Sequence, residues 1–435
     1  MTVTAGAHLE PKVSANRIRA DFRGGHVLGY AALPLLWDGL PLTAFGMPIW
    51  YGKYIVAAVI LGALAIYVLR LALGRIAFDF WFSCPVILLG ICALVSAVSS
   101  AIFFPQPLLN GILALYAMVP LMLIALYRLT GARAIEIVMS IALAGLVVSA
   151  LIIADRVVRI DFLSVYQRLS GFDAEMRRIV IAKNEVACAT VILGAASMLT
   201  FPRRISMLYL TLFAAVFYTL IIVFEVRVAI GAVMLALGSF AVFGLKGRRR
   251  IFILAVGSIV GLALVPILFD KYIEQILTRS DFIIQDQSVS WRLITLEYYR
   301  RFFELTGGVG FGAMSGSGDN ILAFAQSKAG ALYGDPWYGL YLADISLFSA
   351  LFQYGYLGLT MVLVMEIATI VALLRANRIP TFIGKIVAAI GLLCLFLIVN
   401  PWPLNMYTLE WCLVNSGTLW FLASLAARRE LNSPI

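Results

Sequence analysis

Arginine is the residue type through which this sequence could do chemistry. Arg168 and Arg178 lie in one polar stretch, Arg227 at the edge of an apolar run, and Arg292 and Arg300 in a second, longer polar stretch. A guanidinium fork matches phosphate oxygens bidentately, so such a set suits an anionic ligand. A lipid pyrophosphate is the natural candidate, because its tail lies in a bilayer and its charge at the surface. As a leaving group it develops charge in the transition state, which fixed arginines can stabilise without a metal. Each arginine also has a plainer reading. Asp155, Asp161, Asp173, Glu175, Asp281 and Asp286 share these stretches and make a mixed-charge solvated surface, while Glu225 stands close enough to neutralise Arg227.

Other chemistries find less material. The two histidines, His8 and His26, are both near the N-terminus, which excludes a histidine-based metal centre or histidine catalysis in the core. Cys84, Cys92, Cys188, Cys394 and Cys412 sit in or beside apolar runs, an odd and scattered set that reads as packing residues and not as a disulfide framework. There is no Walker loop, and no pair of carboxylates one residue apart of the kind metal-dependent sugar-nucleotide transferases use. Gly307, Gly308, Gly310 and Gly312 resemble a dinucleotide fingerprint, but no strand precedes them and no helix opens on them. They instead end a helix and start an irregular loop, where positive φ and close backbone approach are needed.

The elements that must position these residues are hydrophobic. The chain of 435 residues is 62% hydrophobic with a mean hydropathy of +0.97, which marks an integral membrane protein. Runs of about 20 apolar residues predict spans near 27–48, 52–74, 80–103, 107–128, 134–154, 179–201, 205–224, 227–245, 250–269, 345–374, 380–400 and 409–427. Residues 1–25 carry Lys12, Arg17, Arg19 and Arg23 without an apolar core and read as a cytoplasmic tail, not a cleaved signal. With that tail inside, alternate loops carry Arg70 and Arg75, Arg128 and Arg133, Arg203 and Arg204, Lys246 and Arg248 to Arg250, Arg375 and Arg378, and Arg428 and Arg429. Short cytoplasmic loops are enriched in this way, so the net charge of +10 is a topology signal and does not indicate nucleic-acid binding. The arrangement is residues 26–269 as spans one to nine, an outer loop over 270–344, and 345–435 as the last three spans with a cytoplasmic C-terminus. Within the loop, Trp291, Ile294, Tyr298 and Phe302 recur at helical spacing and predict an amphipathic helix lying apolar side down on the membrane surface.

Four stretches together resemble the O-antigen ligase and O-antigen polymerase superfamily. Arg168-Leu-Ser-Gly171 followed by Ala182-Lys-Asn-Glu-Val-Ala187 is similar to its Arg-x-x-Gly then Asn-x-x-Ala segment, and Glu225-Val-Arg-Val-Ala-Ile-Gly231 to its Ser-Arg-Gly-Ala helix start. Ser290-Trp-Arg292 followed by Thr306-Gly-Gly-Val-Gly-Phe-Gly312 resembles its Ser-x-Arg then Pro-x-x-Gly-x-Gly-Phe-Gly loop. Ala343-Asp-Ile-Ser-Leu-Phe-Ser-Ala-Leu-Phe-Gln-Tyr-Gly-Tyr-Leu-Gly-Leu359 resembles its His-Asn-x-x-Leu then Gly-x-x-Gly-Leu helix.

The resemblance implies an all-α integral membrane protein of about twelve transmembrane helices, with a large periplasmic loop containing short helices over a cavity open to lipid. It implies transfer of a glycan from an undecaprenyl-pyrophosphate-linked donor to an acceptor hydroxyl in the bacterial inner membrane, with inversion and with no cofactor, metal or nucleotide sugar. Arg227 and Arg292 would clamp the pyrophosphate, with Arg168, Arg178, Asn184, Arg300, Gly308 and Gly310 around the substrate. Where ligases carry a loop histidine proposed as base, this chain has Asp344, followed by Ile345 in place of asparagine. An aspartate can accept the proton, and it can also cap the helix that follows; both roles stand. The departure favours a polymerase of O-antigen or exopolysaccharide repeat units, with a growing glycan as acceptor and a chain-length regulator as a candidate partner. A ligase acting on lipid A-core remains the alternative, and a transporter or flippase of lipid-linked sugar is the competing class. A transporter would show related halves and helices broken at mid-membrane depth, and neither is visible in the sequence.

Overall fold

The computed structural model describes residues 23–37, 40–43, 46–76, 79–107, 111, 114–158, 183–222, 227–247, 249–255, 257, 287–314, 340, 345, 347–399 and 409–431. Among them every regular element is a helix and there is no strand. The helices are α1 Gly24–Trp37, α2 Ile49–Ala72, α3 Phe80–Ile102, α4 Leu123–Thr130, α5 Ala134–Val158, α6 Lys183–Thr200, α7 Arg204–Ile222, α8 Arg227–Gly244, α9 Gln287–Leu305, α10 Leu347–Arg375, α11 Phe382–Val399 and α12 Leu409–Arg428.

Five stretches among the described residues, Tyr51–Ala72, Phe80–Ile102, Ala134–Asp155, Arg204–Ile221 and Leu347–Arg378, are long and apolar enough to cross a membrane, and four shorter apolar helices accompany them. Large apolar side chains such as Leu61, Ile66, Leu69, Met207 and Leu208 point outward from α2 and α7. In water such a surface would be costly; against lipid tails it is the ordinary one. The expected span at 107–128 is not one helix. A 3-10 segment, Leu115–Met122, containing Pro120 leads into the short α4, because proline lacks the N–H and its ring crowds the preceding turn. The expected span at 27–48 ends as α1 at Trp37, followed by the short helix Leu40–Thr43. Most of the span expected at 250–269 lies outside the described residues, of which 249–255 are helical.

The packed centre is α6, buried along almost its whole described length and flanked by α5, α7, α8 and α11. Small residues allow this. A Cβ on Gly145 of α5 would come within 2.4 Å of the Ala189 Cβ and 2.8 Å of the Glu185 carbonyl oxygen, so the two helices touch backbone to backbone.

Helix ends converge on charges. Asp79 caps α3 by accepting from the Trp81 amide at 3.0 Å, and it forms ion pairs with Arg128 at the end of α4 and Arg428 at the end of α12. Arg128 also donates to the Tyr67 hydroxyl of α2 at 2.9 Å. Glu136, fully buried in the first turn of α5, accepts from the Arg133 side chain at 2.7 Å and stands 3.7 Å from His26 of α1. Three loops assigned to the same membrane side by their basic residues therefore meet at one end of the bundle.

Candidate functional site

At the opposite end α9 runs into the glycine segment, and both are fastened to α10. A buried cluster joins Tyr298, Tyr299 and Phe303 of α9 to Phe311, Met314, Leu340, Ile345 and Phe352. The Tyr299 hydroxyl donates to the Leu340 carbonyl at 2.9 Å. The helix expected from Trp291, Ile294, Tyr298 and Phe302 is thus present, but its buried side is centred on Thr295, Tyr298, Tyr299 and Phe303, with Ile294 and Phe302 only partly covered. Its apolar face, which the sequence pattern predicts to lie on the membrane surface, packs in part on protein, because the glycine segment and the first leg of α10 occupy that side.

α10 is broken at Gly355, whose φ of 67° and ψ of −170° lie outside the helical region. The break removes the helical bond between the Tyr356 amide and the Phe352 carbonyl, and the glycine segment replaces it. The amides of Phe311 and Gly312 donate to the carbonyls of Phe352 and Gln353 at 2.9 and 2.7 Å, and the Tyr356 amide donates to the Gly308 carbonyl at 3.3 Å. Side-chain-free backbone is required on both sides of this joint. A Cβ on Gly310 would lie 2.5 Å from the Gln353 oxygen and the Gly355 nitrogen, and one on Gly355 would lie 2.2 Å from the Val309 oxygen. Thr306 holds the turn, donating to the Phe303 carbonyl at 2.7 Å and accepting from the Gly310 amide at 3.0 Å. On the far side the segment is tied to α3: the Ala313 amide donates to Ser96 Oγ at 2.8 Å, and Gln106 donates to the Ala313 carbonyl at 2.8 Å.

Ser96 stands about 25 Å along α3 from Asp79 at helical rise and some way short of its end. If α3 spans the membrane, this irregular backbone lies at membrane depth, where it is tolerated because it is enclosed by protein and its polar groups are paired.

The expected site residues fall differently in this frame. Arg292 is half-buried in α9, and no carboxylate among the described residues pairs with it. Arg300 is exposed and paired, with its Nε 2.9 Å from Glu297 and Nη1 3.1 Å from Glu304, while Arg301 also reaches Glu297 at 3.3 Å. The bond from Arg300 holds the Glu297 carboxyl below its ordinary range, and the same bond raises Arg300. Gly308 and Gly310 lie in the joint to α10, with the Gly308 carbonyl and the Gly310 amide engaged there. Asn184 is in the first turn of α6 and Arg227 is the first residue of α8; their side chains are not among those described. Arg168, Arg178 and Asp344 lie outside the described residues. Among those residues no group of three or more His, Cys, Asp or Glu side chains is placed to hold a metal ion.

Two features escaped the reading of the sequence. Ser96 and Gln106, which anchor the glycine segment, carry no pattern that distinguishes them. Glu366, a lone acid inside the apolar run of α10, did carry a signal, since an ionisable residue within a span is a functional candidate by default. No protein-family model matches the chain, and no curated protein is significantly similar to it.

Proposed function

We propose that the chain is a bacterial inner-membrane glycosyltransferase that polymerises undecaprenyl-pyrophosphate-linked oligosaccharide repeat units into O-antigen or exopolysaccharide on the periplasmic side, both chain termini being cytoplasmic. The observation that supports this most is the contrast among the arginines of α9. Arg300 and Arg301 are matched by Glu297 and Glu304, whereas Arg292 is half-buried with no carboxylate beside it among the described residues. A partly desolvated guanidinium held on a firmly anchored helix suits a phosphate oxygen pair. In this reading Arg292 and Arg227 bind the pyrophosphate and stabilise its growing charge as the sugar–phosphate bond breaks. Asp344 accepts the proton of the attacking hydroxyl, which bonds to the anomeric carbon from the opposite face, giving inversion. A ligase using a lipid A-core hydroxyl would need the same arrangement.

The transporter reading gains one point, the broken α10, since such breaks line substrate sites in transporters. Here the carbonyls of Phe352 and Gln353 and the amide of Tyr356 are paired with the glycine segment, so these groups of the break are not left free for a substrate. The test is Arg292→Lys, which keeps the charge and removes the fork. Transfer should fall by roughly two orders of magnitude, or about 3 kcal/mol, while Arg300→Lys stays within about threefold. Normal glycan elongation by Arg292→Lys at a normal protein level would sink the clamp role, and lipid-linked sugar crossing the bilayer without elongation would move the assignment to a transporter.

A further inference from the structure

Glu366 lies in the longer leg of α10, eleven residues past the break at Gly355 and nine before Arg375. Val362 and Ile370, one turn before and after it on the same side, are buried, as is Met365, while Val364 and Ile367 face outward. The residue is partly exposed, but its Oε2 is buried and has no hydrogen-bond partner among the described residues. Among the described residues it forms no ion pair, unlike Asp79, Glu136, Glu297 and Glu304. A titratable group near it among the described residues is the free thiol of Cys394 on α11. The described parts of the other packed elements bring no cation to it. α3 has no charged residue between Phe80 and Ile102, α12 has none over 417–426, and the one basic residue of α11, Lys385, is held at the helix start by Asn377 at 2.7 and 2.9 Å.

A carboxylate in such a place would forfeit several kcal/mol of hydration. Three remedies exist: a cationic partner, a bound metal ion, or a proton. The first is missing among the described neighbours. For the second, a hard cation needs about six oxygen ligands, and among the described residues no group of three or more His, Cys, Asp or Glu side chains is placed to hold one. We propose that Glu366 is an intramembrane proton-binding site, its carboxyl carrying a proton between α10 and α11 while the protein rests in the bilayer. The site is separate from the glycosyltransferase reading and stands or falls without it. An unsatisfied buried polar group costs about 1 to 3 kcal/mol and calls for an explanation; a proton that can be taken up and released supplies one.

Protonated carboxyls in apolar layers react with hydrophobic carbodiimides. The acid O–H adds across a C=N bond, the proton going to nitrogen and the oxygen to the central carbon; the acyl group then migrates to nitrogen, so the whole reagent is retained as an N-acylurea. Full-length protein in its membrane, treated with dicyclohexylcarbodiimide and digested, should show that adduct mass on the peptide containing Glu366. Labelling should fade as pH rises, by about tenfold per unit once the proton is lost, and a water-soluble carbodiimide with an added amine should leave Glu366 unmodified. Glu366→Gln should fold and lose the adduct. Glutamine matches the neutral acid in shape, so wild type should lose stability relative to Glu366→Gln as pH rises, because only the folded state holds the proton. Absence of the adduct at every pH in protein with an intact thermal transition would overturn the proposal, as would equal labelling by the water-soluble reagent. So would a Glu366→Gln variant that is less stable at all pH values, which would reveal an ionised, partnered carboxylate.

Discussion

The two ends of the bundle are held by different chemistry. At the end where α3 begins, Asp79 gathers Arg128 and Arg428, and Glu136 gathers Arg133, so basic residues that read as topology signals also tie helix ends together. At the end where α10 begins, backbone amides and carbonyls of the glycine segment meet those of the broken helix, and an aromatic cluster seals the joint. Charge is consumed in fastening the first end. At the second, the fastening among the described residues is made by backbone and aromatic groups, and Arg292 has no carboxylate beside it there while Arg300 and Arg301 are neutralised. A cation that takes no part in the described fastening can be offered to a ligand.

The largest expected effect lies in the proposed chemistry. Under the proposed function, Asp344→Asn should lower glycan turnover by about 10²- to 10⁴-fold with little change in donor binding, because asparagine still caps a helix but accepts no proton. Rates measured on purified protein with lipid-linked donor would decide it, and normal polymer would leave Asp344 a cap. Next comes the joint itself. Gly310→Ala would force a Cβ to within 2.5 Å of the Gln353 oxygen at a φ of 96°, a strain that cannot relax without separating the segment from α10. The expected loss is about 3 kcal/mol of stability, read as a lower thermal midpoint. Gly308→Ala should cost less, since its added carbon meets the ring edge of Tyr356 and not backbone.

The first end tests the electrostatic half of the comparison. Asp79→Asn should retain the α3 cap, asparagine being as good there as aspartate, while leaving two guanidiniums that are 13% and 33% exposed without their shared counter-ion. A loss of about 2 kcal/mol is expected, below that of a fully buried pair because water reaches both arginines. Adding Arg428→Gln should restore part of it, and a double variant no better than the single one would mean that the pairing is incidental.

Much of this was legible in the sequence, and the reasons differ by region. α2, α3, α5 and α7 follow their predicted limits closely because each is an apolar run with a charged or helix-ending boundary. The 107–128 run misled because hydropathy does not register Pro120, which diverts the backbone into a 3-10 path. The glycines announced close backbone approach, but what they approach, the carbonyls of Phe352 and Gln353, is more than forty residues away in sequence and becomes visible only in the fold. For α9 the helical period was correct and its phase was shifted, since adjacent aromatics such as Tyr298 and Tyr299 fit two neighbouring faces and tertiary packing chose between them.

The smallest effect comes from the exposed charges of α9. Glu297, with its carboxyl held below the ordinary range chiefly by Arg300, stabilises the fold above the unfolded carboxylate value, and that contribution is lost as pH falls through its lowered folded value. Both partners are solvent-exposed, so water and salt screen the pair. Glu297→Gln should therefore leave the thermal midpoint unchanged near neutral pH in moderate salt. A difference from wild type should be greatest in low salt and should vanish at strongly acidic pH, where wild type has lost the charge too. The same substitution frees Arg301 and loosens Arg300 without touching Arg292. If glycan transfer rose or fell sharply in Glu297→Gln with stability intact, the matched arginines would be taking part in substrate binding, and the division between neutralised and available cations on α9 would have to be redrawn.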